Sequence, residues 1–284
     1  MISGNLVDAG VRARFDLSDR VAVITGGGGL LGAQHADAIA EMGGTPVLLD
    51  IDTRHAQDTA ERVSKKYGVP AVAFSADITQ AESILGTVRK VTERFGQIDI
   101  LINNAARNPK QEQLKGANEG SRLEGFSVAS WNDDLAVGLT GAFLCSQLIG
   151  PDMAKRGRGV ILNIASDLGV IAPDQRIYRR ADLPDHQQPV KPVSYSVVKH
   201  GLIGLTRYLA TYWAEQGVRV NALSPGGVYT GQDKEFVARL THLIPLGRMA
   251  RQDEYKAAVV FLVSDASSYM TGMNMVMDGG RTVW

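Results

Sequence analysis

The stretch from Val21 to Met42 restricts what this chain can become more than any other. Val21-Ala22-Val23-Ile24 is a short, continuous apolar run, the pattern of a strand buried on both faces of a sheet. It runs through Thr25 into Gly26-Gly27-Gly28-Gly29-Leu30-Leu31-Gly32. A helical pattern follows to Met42, where Gly43-Gly44 stop it. Strand, glycine turn and helix together predict a cradle for phosphate. Glycines let the backbone approach a pyrophosphate, and the helix N-terminus supplies free N–H groups and the positive end of a dipole. Gly27, Gly29 and Gly32 satisfy G-x-G-x-x-G, which is weak alone and stronger between a strand and a helix. A plain turn is the simpler reading, but four adjacent glycines carry an entropic cost that a plain turn does not require.

The next strand, Thr45 to Leu49, ends in Asp50, about 20 residues past the glycine turn. A carboxylate there accepts hydrogen bonds from adenosine ribose hydroxyls and repels a 2′-phosphate. Neither Gly29 nor Ile51 is a basic residue that would receive one, so NAD is favoured over NADP. Residues 53–67 read as a charged helix closed by Gly68, and Ala71–Phe74 as a third strand with Asp77-Ile78 after it. A helix over 80–95 stops at Gly96, and a fourth strand, Asp99–Ile102, runs into Asn103-Asn104-Ala105-Ala106. Val160–Ala165 and Val218–Leu223 read as the fifth and sixth strands. This alternation predicts an α/β fold, a single doubly wound, Rossmann-like parallel sheet of about seven strands with right-handed crossovers and helices on both faces. Residues 1–19 are expected to form an extension to a single dinucleotide-binding and catalytic domain over 20–284. Ligands of such sheets bind beyond the carboxyl ends of the strands, where Gly26–Gly32, Asp50, Asp77 and Asn103 fall.

Tyr195 and Lys199 lie four residues apart in a helical pattern from Pro192 to Trp213, on one face. A free phenol, with a pKa of about 10, is a poor base at neutral pH. Moving it to near 7 takes about 4 kcal/mol of differential interaction, which a nearby cation can supply. On its own Y-x-x-x-K is a pattern that many helices contain by chance.

Other classes are excluded more simply. Lysine plus arginine and aspartate plus glutamate number 30 each, so the zero net charge suggests neither nucleic acid nor an anionic membrane as partner. Cys145 is the only cysteine and lies in an apolar run, which reads as a buried packing thiol. The five histidines form no metal-ligand pattern, and no metal is expected. Residues 1–19 lack the apolar core of a signal peptide, and no apolar run approaches the roughly 18 residues of a membrane span. The expected location is the cytoplasm.

Taken together and in order, T-G-G-G-G-L-L-G, Asp50, Asp77, N-N-A-A and the Tyr195/Lys199 pair resemble a short-chain dehydrogenase/reductase, over about Arg20 to Gly280. The resemblance implies catalytic roles for Ser166, Tyr195 and Lys199. It places Gly26, Gly29, Leu31, Gly32, Asp50, Asp77, Ile78, Asn103, Ala105, Tyr195, Lys199, Pro225, Gly226, Val228 and Thr230 along the cofactor, NAD. In the family, P-G-x-x-x-T closes over the nicotinamide, and here Val228 and Thr230 inherit that task. The last strand, near Met275–Gly280, resembles a segment that commonly sits at subunit contacts, so a homodimer or homotetramer is expected.

The chain departs from the family in four places. Leu30 stands where a glycine is usual, which predicts a slightly shifted turn. Gly138 stands where the family usually has the asparagine that holds a relay water; water or a backbone kink would have to substitute. Residues 107–130 form a long polar insertion that can overhang the site. Tyr178 stands at the family's usual spacing from Ser166 but has no lysine four residues on, so Tyr195 is chosen and about 171–191 becomes a second insertion. Its Arg176, Arg179 and Arg180 either bind an anionic or polyhydroxylated group or belong to a solvated flap. The reading is an NAD-dependent oxidoreductase of a secondary alcohol and ketone, a small molecule resembling a sugar, sugar acid or nucleotide-linked sugar. Its alternative is an NAD-binding regulator or scaffold with little catalysis, which the lost asparagine favours and the retained triad opposes.

Overall fold

A computed structural model describes residues 10–107 and 121–284. Its strands are β1 (Val21–Thr25), β2 (Thr45–Asp50), β3 (Val72–Ser75), β4 (Ile100–Asn103), β5 (Gly159–Ile164), β6 (Val218–Pro225) and β7 (Asn274–Met277). They form one seven-stranded sheet in the order β3-β2-β1-β4-β5-β6-β7, with every neighbouring pair parallel. The order reverses direction between β1 and β4, which opens a crevice at their carboxyl ends.

Alternate strand residues feed two opposite cores. Ala22, Ile24, Leu48, Ile100, Ile102 and Leu162 pack with α1 (Leu30–Glu41), α2 (Thr53–Tyr67) and α8 (Lys256–Val263). Val21, Val23, Val47, Leu49, Leu101 and Ile161 pack with α3 (Ala81–Phe95), α5 (Gly141–Lys155) and α6 (Val193–Tyr212). Successive side chains of a strand point to opposite faces, so a sheet covered on both sides needs apolar residues at every position. That is why β1 reads as an unbroken apolar run. Cys145 lies in the second core, and burial pushes its thiol up to about 12, as expected of a packing residue.

The structure differs from the sequence reading at several places. Ser127 caps α4 (Val128–Leu135), which passes through a π-turn at Ala136–Thr140 before α5 continues. A helix that the sequence pattern did not suggest, α7 (Lys234–His242), starts at Asp233, whose carboxylate accepts from the Glu235 and Phe236 N–H groups. Helix α8 begins only at Lys256, because the turn before it is irregular. Of the extension at 1–19, residues 1–9 lie outside the described residues, while Leu17 is fully buried in the first core. Of the insertion at 107–130, residues 108–120 lie outside them too. The segment at 171–191 is no detached flap. Ile177 is 3% exposed against Leu240, Ile244 and Met249, and the Arg239 guanidinium donates to its carbonyl. Among the described residues, no helix is long and apolar enough to cross a membrane.

Candidate active site

The glycine turn is built as a close contact. Gly26 has φ of +63°, and a Cβ on Gly32 would stand 2.1 Å from the Gly26 carbonyl oxygen, so neither position accepts a side chain without moving the turn. Leu30 causes no such conflict, since its side chain points outward and is 43% exposed. Gly29 caps α1, whose first N–H groups face the crevice end of β1. Two residues that the sequence reading passed over lock this turn. Thr25 Oγ1 accepts from the Asn104 and Ala105 N–H groups, and the Asn104 amide donates to the Thr25 and Gly26 carbonyls. The glycines keep the turn tight against the start of α1, whose first N–H groups are the kind that receive a phosphate.

Asp50 completes the floor. One carboxylate oxygen accepts from Gly28 N–H at 2.9 Å and the other from Asp52 N–H at 3.0 Å, which fixes an anion beside the turn. Asp77 accepts from the Thr79 N–H and hydroxyl, and so shapes the turn after β3. The Ile78 side chain is buried against Gly141, and the Asn103 amide is turned into the protein, donating to Asn163 and Ser146. Asn103 therefore ties β4 to β5 and α5, and only its main chain remains for a ligand. Pro225 and Gly226 end β6, where Gly226 N–H donates to the Met277 carbonyl and the Tyr255 hydroxyl to the Gly226 carbonyl. Val228 bridges to Ala250, and Thr230 N–H donates to Gln232.

Ser166 and Tyr195 meet across the end of β5. Ser166 is 5% exposed, donates to Asp167 Oδ1 at 2.8 Å and accepts from Leu168 N–H at 3.2 Å. Burial pushes the Tyr195 phenol up, and a hydrogen bond with Ser166 opposes that shift. Lys199, 5% exposed, donates to the Ile164 carbonyl at 2.8 Å, and its Nζ lies 5.7 Å from the Tyr195 ring centroid. Burial pulls its ammonium down to about 8, helped by the charge of Lys191. The predicted triad is thus brought together.

Three charged groups beside it were not legible in the pattern. Asp167 and Arg281 form a buried ion pair at 2.7 Å, with side chains 5% and 6% exposed. The Lys191 ammonium lies 3.6 Å from the Tyr195 ring centroid. Arg176 and Arg180, by contrast, are exposed and paired with Asp174 and Asp182, so they do not enter the site. Tyr178 does approach it. It is stacked at a tilt on Phe236 of α7, and burial pushes its phenol up to about 12. A cavity of about 400 Å³ opens beside this group, lined by Ser121, Arg122, Gln175, Lys191 and Ser196 among others. A larger one, about 540 Å³, lies at the opposite end of the sheet between Arg20, Arg158 and Arg219 and has none of this chemistry. Among the described residues no cluster could hold a metal ion.

Known proteins resemble the chain along most of its length. Residues 20–178 match the family model for short chain dehydrogenase, and 186–282 match that for enoyl-(acyl carrier protein) reductase. The chain is 34% identical to a D-threitol dehydrogenase of Mycolicibacterium smegmatis over 274 residues, 95% of each chain. It is 33% identical to an NAD-dependent glycerol dehydrogenase of Listeria innocua over 274 residues, 95% of this chain and 96% of the relative. A crystal structure of a gluconate 5-dehydrogenase from Burkholderia cenocepacia in complex with NADP and tartrate superposes with a TM-score of 0.83 at 28% identity, covering 97% of this chain and all of the other.

Proposed function

Because the chain belongs to the short-chain dehydrogenase/reductase family and is an NAD(P)-dependent oxidoreductase of CH–OH groups, we propose that it interconverts a secondary alcohol of a polyol, sugar or sugar acid with its ketone, using NAD. The observation that carries the proposal is the meeting of Ser166, Tyr195 and Lys199 at the end of β5, opposite the glycine cradle.

Gly26, Gly29, Leu31 and Gly32 would hold the pyrophosphate, and Asp50 the adenosine ribose. Ile78, Ala105, Pro225, Gly226, Val228 and Thr230 would line the rest of the cofactor, which when bound supplies the hydride acceptor or donor. Asp50 supports NAD, since a 2′-phosphate would meet its carboxylate, held by Gly28 and Asp52. Tyr195 takes the hydroxyl proton during oxidation and returns it during reduction. Lys199 favours the phenolate as a buried cation and is placed by its bond to the Ile164 carbonyl. Ser166 orients the reacting oxygen. Assembly as a homodimer or homotetramer belongs to the same proposal, supported by Phe143, Tyr208 and Tyr212, which α5 and α6 leave exposed.

The test is a panel of alditols and aldonic acids with NAD or NADP, followed by nicotinamide absorbance. Wild-type protein turns over at least one with NAD preferred. Tyr195→Phe lowers turnover by about 10²–10⁴ and leaves NAD binding intact. Near-normal turnover in that variant overturns the assignment.

A further inference from the structure

Tyr195 carries a second ammonium that the mechanism above does not use. Lys191 Nζ stands 3.6 Å from the ring centroid, nearer than the 5.7 Å of Lys199. The backbone fixes this position. Lys191 N–H donates to Gln175 Oε1 at 2.8 Å, the Gln175 amide donates back to the Lys191 carbonyl at 3.4 Å, and Val190 N–H donates to Ser121 Oγ at 3.2 Å. Pro192 follows at once, with a backbone set for the first turn of α6, which carries Tyr195. The clamp and the helix start therefore deliver the lysine and the phenol to each other.

We propose that Lys191 is a second positioned cation on the Tyr195 phenol, sharing with Lys199 the task of holding its tyrosinate form. This rests on the reading of Tyr195 as the proton-transfer group. A cation within about 4–6 Å favours the charged form of an acid, and the face of an aromatic ring attracts cations as well. The groups facing the phenol come from several elements. Lys199 is on the same helix, Ser166 and Asp167 follow β5, Tyr178 belongs to the 171–191 segment, and Arg281 follows β7. Asp167 opposes the phenolate, but Arg281 neutralises it at 2.7 Å. Asp134 on α4 and Asp167 both favour the charged form of Lys191, against burial that pulls it to about 8, so it remains largely an ammonium at neutral pH. The two ammonium groups repel each other. Ionisation of the phenol beside them offsets that repulsion. The apparent steps belong to the Lys191–Lys199–Tyr195 cluster as a whole, so the informative quantity is a difference between variants.

Tyrosinate absorbance titration of the full chain, minus that of its Tyr195→Phe variant, reads the phenol without a substrate. With NAD bound, Lys191→Met moves the Tyr195 step upward by on the order of one pH unit, about tenfold in proton affinity. Lys191→Arg, which keeps the charge, restores most of it, and the acidic limb of the kcat/KM profile for oxidation moves in the same direction. An unchanged step in folded Lys191→Met overturns the proposal. If that variant does not fold, equal titrations of Lys191→Gln and Lys191→Arg overturn it. A raised KM with an unmoved pH profile also overturns it, since Lys191 would then be a substrate contact. Failure of the Tyr195 assignment itself shows separately, as normal turnover in Tyr195→Phe.

Discussion

His35 sits on α1 just past the glycines, 1% exposed, and burial pulls its pKa to about 4. In the unfolded chain the same ring takes a proton near pH 6.5. Between those values the unfolded state binds the proton and the folded state does not, so stability falls as pH falls through that window. The loss approaches about 3 kcal/mol, and urea unfolding at a series of pH values measures it. His35→Leu removes most of that slope while leaving other acid-sensitive groups in place. Residues of this kind show how much of the site the sequence disclosed. Tyr195 and Lys199 form a local pattern on one helix face, whereas only the family resemblance pointed to Ser166 at the end of β5. Lys191 was not singled out, because its approach to Tyr195 depends on how the 171–191 segment folds back. Asp167 and Arg281 were not singled out, because their pairing spans 114 residues and depends on where β5 and β7 end.

The helix pair α4 and α5 is the element where sequence and family expectation differ most. Gly138 lies in a π-turn, a form that recurs at functional sites. Its glycine is required by packing. A Cβ at 138 would stand 2.6 Å from Val198 Cγ1 on α6, and a β-branched side chain yields little. Gly138→Asn, which restores the family residue, therefore destabilises the protein by about 1–3 kcal/mol. Combined with Val198→Ala, the loss is smaller than the sum of the two single losses, as thermal or urea unfolding of all three variants would show. The π-turn was legible only as a missing asparagine. Helix α7 was hidden by its short, mixed composition, whereas α2 and α3 appeared at nearly their observed bounds because glycines end both.

Across the whole molecule, the sheet was readable because most of its buried parallel strands are short, largely apolar runs alternating with helical patterns. What was not readable was how the 171–191 segment attaches, since Ile177 and Tyr178 secure it to α7 by long-range packing. Ile177→Ala costs about 2–4 kcal/mol locally. Hydrogen exchange in that variant speeds up in α7 and in 171–191 together, while amides of β1 and β4 keep their protection. The Asp167–Arg281 pair has a consequence in time. A ribosome making about 5–20 residues each second finishes the carboxylate well before its guanidinium. For roughly ten seconds the nascent chain carries Asp167 without its partner, so the end of the sheet that holds Ser166 is completed only after the glycine turn and β1–β4 have been made.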